Sequence, residues 1–148
     1  MDRVPDRTWK TTVLLFHGST GSGKSKAALD RYPTAYWKPN NKWWDGYDPS
    51  CHDTVIWDDW DPSIISYKEM LRICDRYPLT VEFKGGSVKF TAKTIVFTHL
   101  KSFAQLDHPW NTTEWTRRVD GVELFTGVPG TVGYEFDDSI AAALLDFI

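Results

Sequence analysis

The sequence predicts an alternating α/β fold: a mostly parallel central sheet flanked by helices, with one β-hairpin inserted. Three observations lead there. Short apolar runs end in polar or glycine-rich turns, helix-compatible segments separate those runs, and one segment alternates about a Gly-Gly pair. At 148 residues, with 41% hydrophobic and 25% charged residues, the chain can build one core without disulfide or metal staples. We therefore read residues 1–148 as a single domain, its core over about residues 11–126.

Each element has its own signal. "TTVLLF" (Thr11 to Phe16) is a strand buried on both faces, as in a parallel sheet, and it runs into a glycine-rich loop. "KSKAALDRY" is helix-compatible and stops before Pro33. The stretch "YPTAYWKPNNKWWDGYDPSCHD" is mostly loop, with a short strand near Ala35–Trp37. "TVIWDDW" (Thr54 to Trp60) is a second buried strand. Asp61 and Pro62 look like a cap and first position for the helix "SIISYKEMLRICDRY", which puts Ile64, Tyr67, Leu71 and Cys74 on one face and ends at Pro78. "VEFKGGSVKF" (Val81 to Phe90) is a hairpin turning at Gly85-Gly86. A third buried strand, "KTIVFTHL", is followed by a tryptophan-containing loop, "TEWTRRV", and a fourth core strand at Gly121–Phe125. A short apolar helix closes the chain over about residues 138–148.

Composition removes several classes of function. No apolar run approaches the roughly 18–20 residues that cross a bilayer, and "MDRVPDRTWK" is polar, so neither anchor nor signal peptide is expected and the protein should be intracellular. Cys51 and Cys74 lie far apart and the four histidines are scattered, which suits free thiols and no zinc. A net charge of -3 excludes a broadly basic nucleic-acid binder, so any such contact must be focused. Eight tryptophans, six tyrosines and eight phenylalanines suit either a filled core or stacking surfaces for bases.

The chemistry begins where the first strand ends. "GSTGSGKS" comprises Gly18, Ser19, Thr20, Gly21, Ser22, Gly23, Lys24 and Ser25, and matches the phosphate-binding loop G-x-x-x-x-G-K-[ST] after a strand and before a helix. Glycines let successive N–H groups point at one anion, Lys24 reaches the β- and γ-phosphates, and the Ser25 hydroxyl ligates Mg²⁺. Such a loop calls for an acid at the end of another core strand. Asp58 in "VIWDD" fits the metal shell, and Asp59 is placed to polarise the attacking water. In helicase-type ATPases a polar residue at the end of the third strand, often Asn, contacts the γ-phosphate or the water; here the candidates are Thr98 and His99. Arg117 and Arg118 are either a solvated face or a source of an arginine finger acting on a neighbour's nucleotide.

Taken in order, "GSTGSGKSK", "YWKPNNKWWDGY", "VIWDDW", "LRICDRYPLTVEFKGGSVKF" and the paired arginines resemble the helicase domain of the replication-initiator (Rep) proteins of circoviruses and related small circular single-stranded DNA viruses, a branch of superfamily 3 helicases. The resemblance runs from about Thr12 to Phe125. It implies an AAA-type P-loop ATPase core, ATP and Mg²⁺ as cofactors, single-stranded DNA as partner, self-assembly into a ring, a hexamer by resemblance, and work in the host nucleus. It also implies that the hairpin lines a central channel, with Lys84 and then Lys89 as the phosphate contacts; a lysine beside a glycine turn can follow a backbone without reading sequence. Trp43 and Trp44 are left between packing and base stacking. Two departures stand out: His99 where the family usually has Asn, and none of the nicking-endonuclease motifs with which a full initiator begins, so the chain reads as a helicase-domain portion. Rival readings are a small nucleotide or nucleoside kinase and a degenerate nucleotide-binding assembly module. A GTPase fits less well, because "NKWWD" has its acid one position too late for guanine recognition.

Overall fold

The five segments expected as strands enter one sheet. The computed structural model of the chain describes residues 4–126. Its elements are β1 (Thr12–Gly18), α1 (Lys24–Arg31), β2 (Tyr36–Trp37), β3 (Thr54–Trp57), α2 (Tyr67–Ile73), β4 (Thr80–Phe83), β5 (Gly86–Lys89), β6 (Thr94–His99), a 3-10 turn (Phe103–Gln105), α3 (Thr113–Thr116) and β7 (Gly121–Phe125). The sheet order is β2-β3-β6-β1-β7, and every pairing in it is parallel. Parallel strands present their C-terminal ends at one edge, and there the loops after β1, β3 and β6 meet. The expected helix over about residues 138–148 lies outside the described residues.

Both faces of the sheet are covered, which is why its strands read as continuous apolar runs. Under α1 lie Phe16, Ile56, Val96 and Phe125 with Ala28. The opposite face holds an aromatic core in which Trp44, Trp57, Trp60, Trp110 and Trp115 are each at most 7% exposed. Trp60 and Trp115 both meet Trp110 edge-on at 4.9 Å between ring centroids. Most of the tryptophan content is therefore core, including Trp44 at 1% exposure, while Trp43 is half-buried beside the Lys42 ammonium. Arg7, also buried, donates to the carbonyls of Arg72, Ile73 and Tyr77, so a cation closes the C-terminal end of α2.

Three expectations are corrected. The second strand stops at Trp57 rather than Trp60, because the chain turns at Asp59, whose φ is 50°. The following helix starts at Tyr67, not at Pro62: Asp61 Oδ1 accepts from the amide and hydroxyl of Ser63, closing a local turn, and the Ser66 hydroxyl accepts from the Glu69 amide as the true cap. The hairpin turns on Lys84-Gly85 rather than Gly85-Gly86. Phe83 pairs with Gly86, and a side chain at Gly86 would approach the Phe83 ring to 2.9 Å, so this glycine makes room for the ring while Gly85 alone takes a positive φ of 105°.

Candidate functional site

The phosphate loop takes its shape from its glycines. Gly18 has φ 154° and its position would push a Cβ to 2.2 Å from the Phe125 carbonyl on β7, so no side chain fits there. Gly23 sits at φ 96° immediately before α1, and no side chain caps the first amides of that helix. Free N–H groups at a helix start, with no acid in the first turn, are an anion site. The Lys24 ammonium leans back on the Ser19 carbonyl at 3.2 Å, and the Ser22 hydroxyl is buried without a hydrogen-bond partner among the described residues, so the loop holds a cation and an unused donor.

The acidic strand end closes on this loop. Ser25 Oγ donates to Asp58 Oδ1 at 2.6 Å, and Thr98 Oγ1 donates to the same oxygen at 2.8 Å. The Asp59 amide in turn donates to Thr98 Oγ1 at 2.7 Å. A hydroxyl and a carboxylate in contact, both hard oxygen donors, fit Mg²⁺, which takes one or two carboxylates and completes its shell with waters and substrate phosphate. The described residues contain no group of three or more His, Cys, Asp or Glu that could cage a metal, so a metal bound here would complete its shell with waters and substrate oxygens.

The register explains which polar residue at the end of β6 reaches the acid. Trp57 pairs with Phe97 and Ile56 with Val96, so the next residues, Asp58 and Thr98, fall side by side. His99 projects to the other face: its ring lies edge-on to Trp60 at 5.9 Å, and its Nδ1 accepts from the Lys101 amide at 2.9 Å. Burial pushes its pKa below the ordinary imidazole value, so the ring is neutral at pH 7. The same Nδ1 lies 3.2 Å from the Lys101 carbonyl, so both of its contacts with Lys101 run through one ring nitrogen. Beside it across the sheet is His17, which sequence reasoning missed. Its Nε2 is buried without a hydrogen-bond partner among the described residues, and burial first, then His99, lowers its pKa.

The remaining candidates separate. Arg118 is tied down: its guanidinium donates to the carbonyls of Leu71 (3.3 Å) and Glu114 (2.7 Å) and meets Asp75 Oδ2 at 3.3 Å. Arg117 is exposed and forms no side-chain hydrogen bond or ion pair among the described residues. Lys84 stands exposed at the hairpin tip, whereas the Lys89 ammonium is half-buried against the Val4 carbonyl (2.9 Å) and Asp6 (3.5 Å).

A parallel sheet in this order, with a phosphate loop after β1 and an acid hydrogen-bonded to its serine, defines a phosphate-loop nucleoside triphosphatase core. The family model described as RNA helicase matches residues 14–99, from β1 to the end of β6, and the chain belongs to that family as a helicase domain of the circovirus replication-associated type. The replication-associated protein of Goose circovirus is 48% identical over 97 residues, covering 62% of this chain and 31% of that protein. Its counterpart in Porcine circovirus 2 is 47% identical over 102 residues, covering 65% and 31%. The replication-associated protein of Human associated cyclovirus 1 is 41% identical over 127 residues, covering 79% and 44%. The chain thus spans less than half the length of these relatives. Among the described residues no helix is long and apolar enough to cross a membrane.

Proposed function

We propose that this chain is an ATP-driven motor on single-stranded DNA, the helicase part of a viral replication initiator, hydrolysing ATP between adjacent subunits of a ring. The observation that carries the reading is the line Ser25–Asp58–Thr98–Asp59, which joins the phosphate loop to two acids through three contacts of 2.6–2.8 Å. In the helicase family to which the chain belongs, ATP is the expected fuel, and the work is done inside the cell, in the host nucleus, as the resemblance implies.

The residues would divide the task as follows. The amides of Gly18 to Ser25 cradle the phosphates, and Lys24 leaves the Ser19 carbonyl to neutralise the β- and γ-oxygens. Ser25 and Asp58 would hold Mg²⁺, which supplies charge neutralisation across the same oxygens. Thr98 keeps Asp58 turned toward Ser25 and, through the Asp59 amide, fixes the turn from which the Asp59 carboxylate orients water. His99 can offer a ring nitrogen in place of an Asn amide. Arg117 is the arginine free to reach a neighbour's nucleotide, and Lys84 is the lysine free to hold a DNA phosphate. The ring, hexameric by resemblance, supplies the second half of each site.

The test is ATP turnover by the chain with single-stranded DNA, set beside turnover with nucleoside and nucleoside monophosphate acceptors. Stimulation by DNA without transfer to a small acceptor is the expected result. Phosphate transfer to an acceptor, indifferent to DNA, would replace this reading with the kinase one.

A further inference from the structure

The loop between β2 and β3 contributes nothing to the phosphate cradle or the metal pair, yet it touches both ends of the proposed machine. Its organiser is Lys38, 3% exposed. The ammonium donates to the carbonyls of Pro39 (2.9 Å), Asn41 (2.5 Å) and Trp43 (2.7 Å), and lies 5.1 and 4.8 Å from the ring centroids of Trp44 and Trp57. An ammonium has three protons, and here each goes to a carbonyl of one short span of chain. Burial pushes its pKa down to about 8 while the Asp45 and Glu69 carboxylates pull it up, so it stays charged at neutral pH, and carbonyl dipoles and two indole faces stand where water would. The chain is thereby wrapped around a fixed charge rather than left as a floppy loop.

From that wrapped loop one side chain points to each functional end. Asn40 Nδ2 donates to the carbonyls of Asp58 (3.3 Å) and Asp59 (2.9 Å), and its Oδ1 accepts from Trp57 Nε1 at 3.0 Å. It therefore holds three consecutive residues, including Asp59 with its positive φ. On the other side the Trp44 amide donates to the Glu82 carbonyl of β4 at 2.9 Å, and Asp45 Oδ1 accepts from the Lys84 amide at 2.7 Å. Trp44 is buried beside Phe90, just past β5, at 5.4 Å between rings. The hairpin makes no ladder with the main sheet, so these contacts are a direct tie between its tip and the sheet's acidic end.

We infer that Asn40 is a positioning residue for Asp58 and Asp59, that Asp45 is one for Lys84, and that the Lys38-centred loop between them couples the nucleotide site to the DNA-gripping hairpin. This rests on the motor reading above. Coupling is reciprocal: if DNA on the hairpin changes nucleotide affinity by some factor, nucleotide must change DNA affinity by the same factor.

The test uses the full chain. Affinity for a fluorescent oligodeoxythymidine is measured with and without a non-hydrolysable ATP analogue and Mg²⁺, alongside phosphate release with and without the oligonucleotide. Wild type should show a nucleotide-dependent change in affinity of about fivefold or more. Asp45→Ala should keep DNA-free hydrolysis and lose that change, and Asp45→Asn, which keeps an acceptor oxygen facing the Lys84 amide, should restore it. Asn40→Ala should lower kcat with little effect on KM for ATP and also lose the change; combined with Asp45→Ala, its loss of coupling should be no greater than in either alone, because both cut one path. A merely structural role would lower stability in each variant but leave the coupling factor at the wild-type value. Wild-type coupling in Asp45→Ala and Asn40→Ala would overturn the loop's role and leave the motor intact. A wild type whose DNA affinity ignores nucleotide and whose hydrolysis ignores DNA would overturn the motor reading and the coupling with it.

Discussion

Replacing Thr98 with valine removes one oxygen and preserves the shape of a side chain that is 1% exposed. That oxygen donates to the Asp58 carboxylate at 2.8 Å and accepts the Asp59 amide at 2.7 Å. A hydrogen bond to a charged acceptor contributes about 1.5–3 kcal/mol, and a buried amide left without a partner costs about 1–3 kcal/mol. Asp59 is exposed and water can serve part of its amide, so the lower end applies there, for a total of about 3 kcal/mol. In a domain of this size that corresponds to a fall in Tm of roughly 6–12 °C. The same change frees the Asp58 carboxylate to turn from Ser25 and loosens the Asp59 turn, so kcat for ATP should fall about tenfold or more, while KM, set by the phosphate cradle, moves little. Thermal unfolding by circular dichroism and steady-state phosphate release read both effects, and Thr98→Ser, which keeps the hydroxyl, should recover most of the turnover. A valine variant with wild-type Tm and kcat would refute the assignment.

Three further outcomes follow from the same geometry. Lys84→Ala should weaken binding of single-stranded DNA and make the slope of log affinity against log salt shallower by about 0.7, one phosphate's share, whereas Lys89→Ala should mainly lower Tm by releasing the Val4 and Asp6 contacts; equal salt slopes in the two variants would contradict this. Arg117→Ala and Lys24→Ala should each abolish turnover but recover part of it when mixed, since each supplies what the other lacks across a subunit boundary, and Arg118→Ala should instead lower Tm by untying α3 from Leu71 and Asp75. Burial pushes the Cys74 thiol up to about 12 from an ordinary 9, so above pH 9 the unfolded chain loses this proton first and stability falls with rising pH, by about 4 kcal/mol in all if pH 12 were reached; Cys74→Ala should show a shallower alkaline decline in urea unfolding at pH 7–10.5.

The phosphate loop could be read from sequence because its backbone leaves little choice: Gly18 faces a carbonyl, and Gly21 and Gly23 take positive φ, so the glycine spacing is the conformation written out. Asp58 was legible as the acid ending a buried run. Choosing Thr98 over His99 as its partner needed only a parity count, since residues two apart on β6 share a face and Val96 faces α1 with Ile56, but the count requires knowing that β3 and β6 are neighbours in register. Asp61-Pro62 misled because that pair suits a turn as well as a helix start, while Ser66, three residues before Glu69, carried the cap. Lys38 and Arg7 could not be read at all. Most of their hydrogen bonds go to backbone carbonyls, which every sequence offers, and a buried cation in a segment without periodicity looks like a solvated one.

Phosphate release from ATP by the full chain, wild type beside Lys24→Ala, measured over a range of protein concentrations with and without single-stranded DNA, tests the motor most directly. Turnover that requires Mg²⁺, rises with DNA, rises per chain with protein concentration and is absent in Lys24→Ala is the expected result. Equal turnover in the two proteins, or ATP bound without turnover at any concentration, would contradict it.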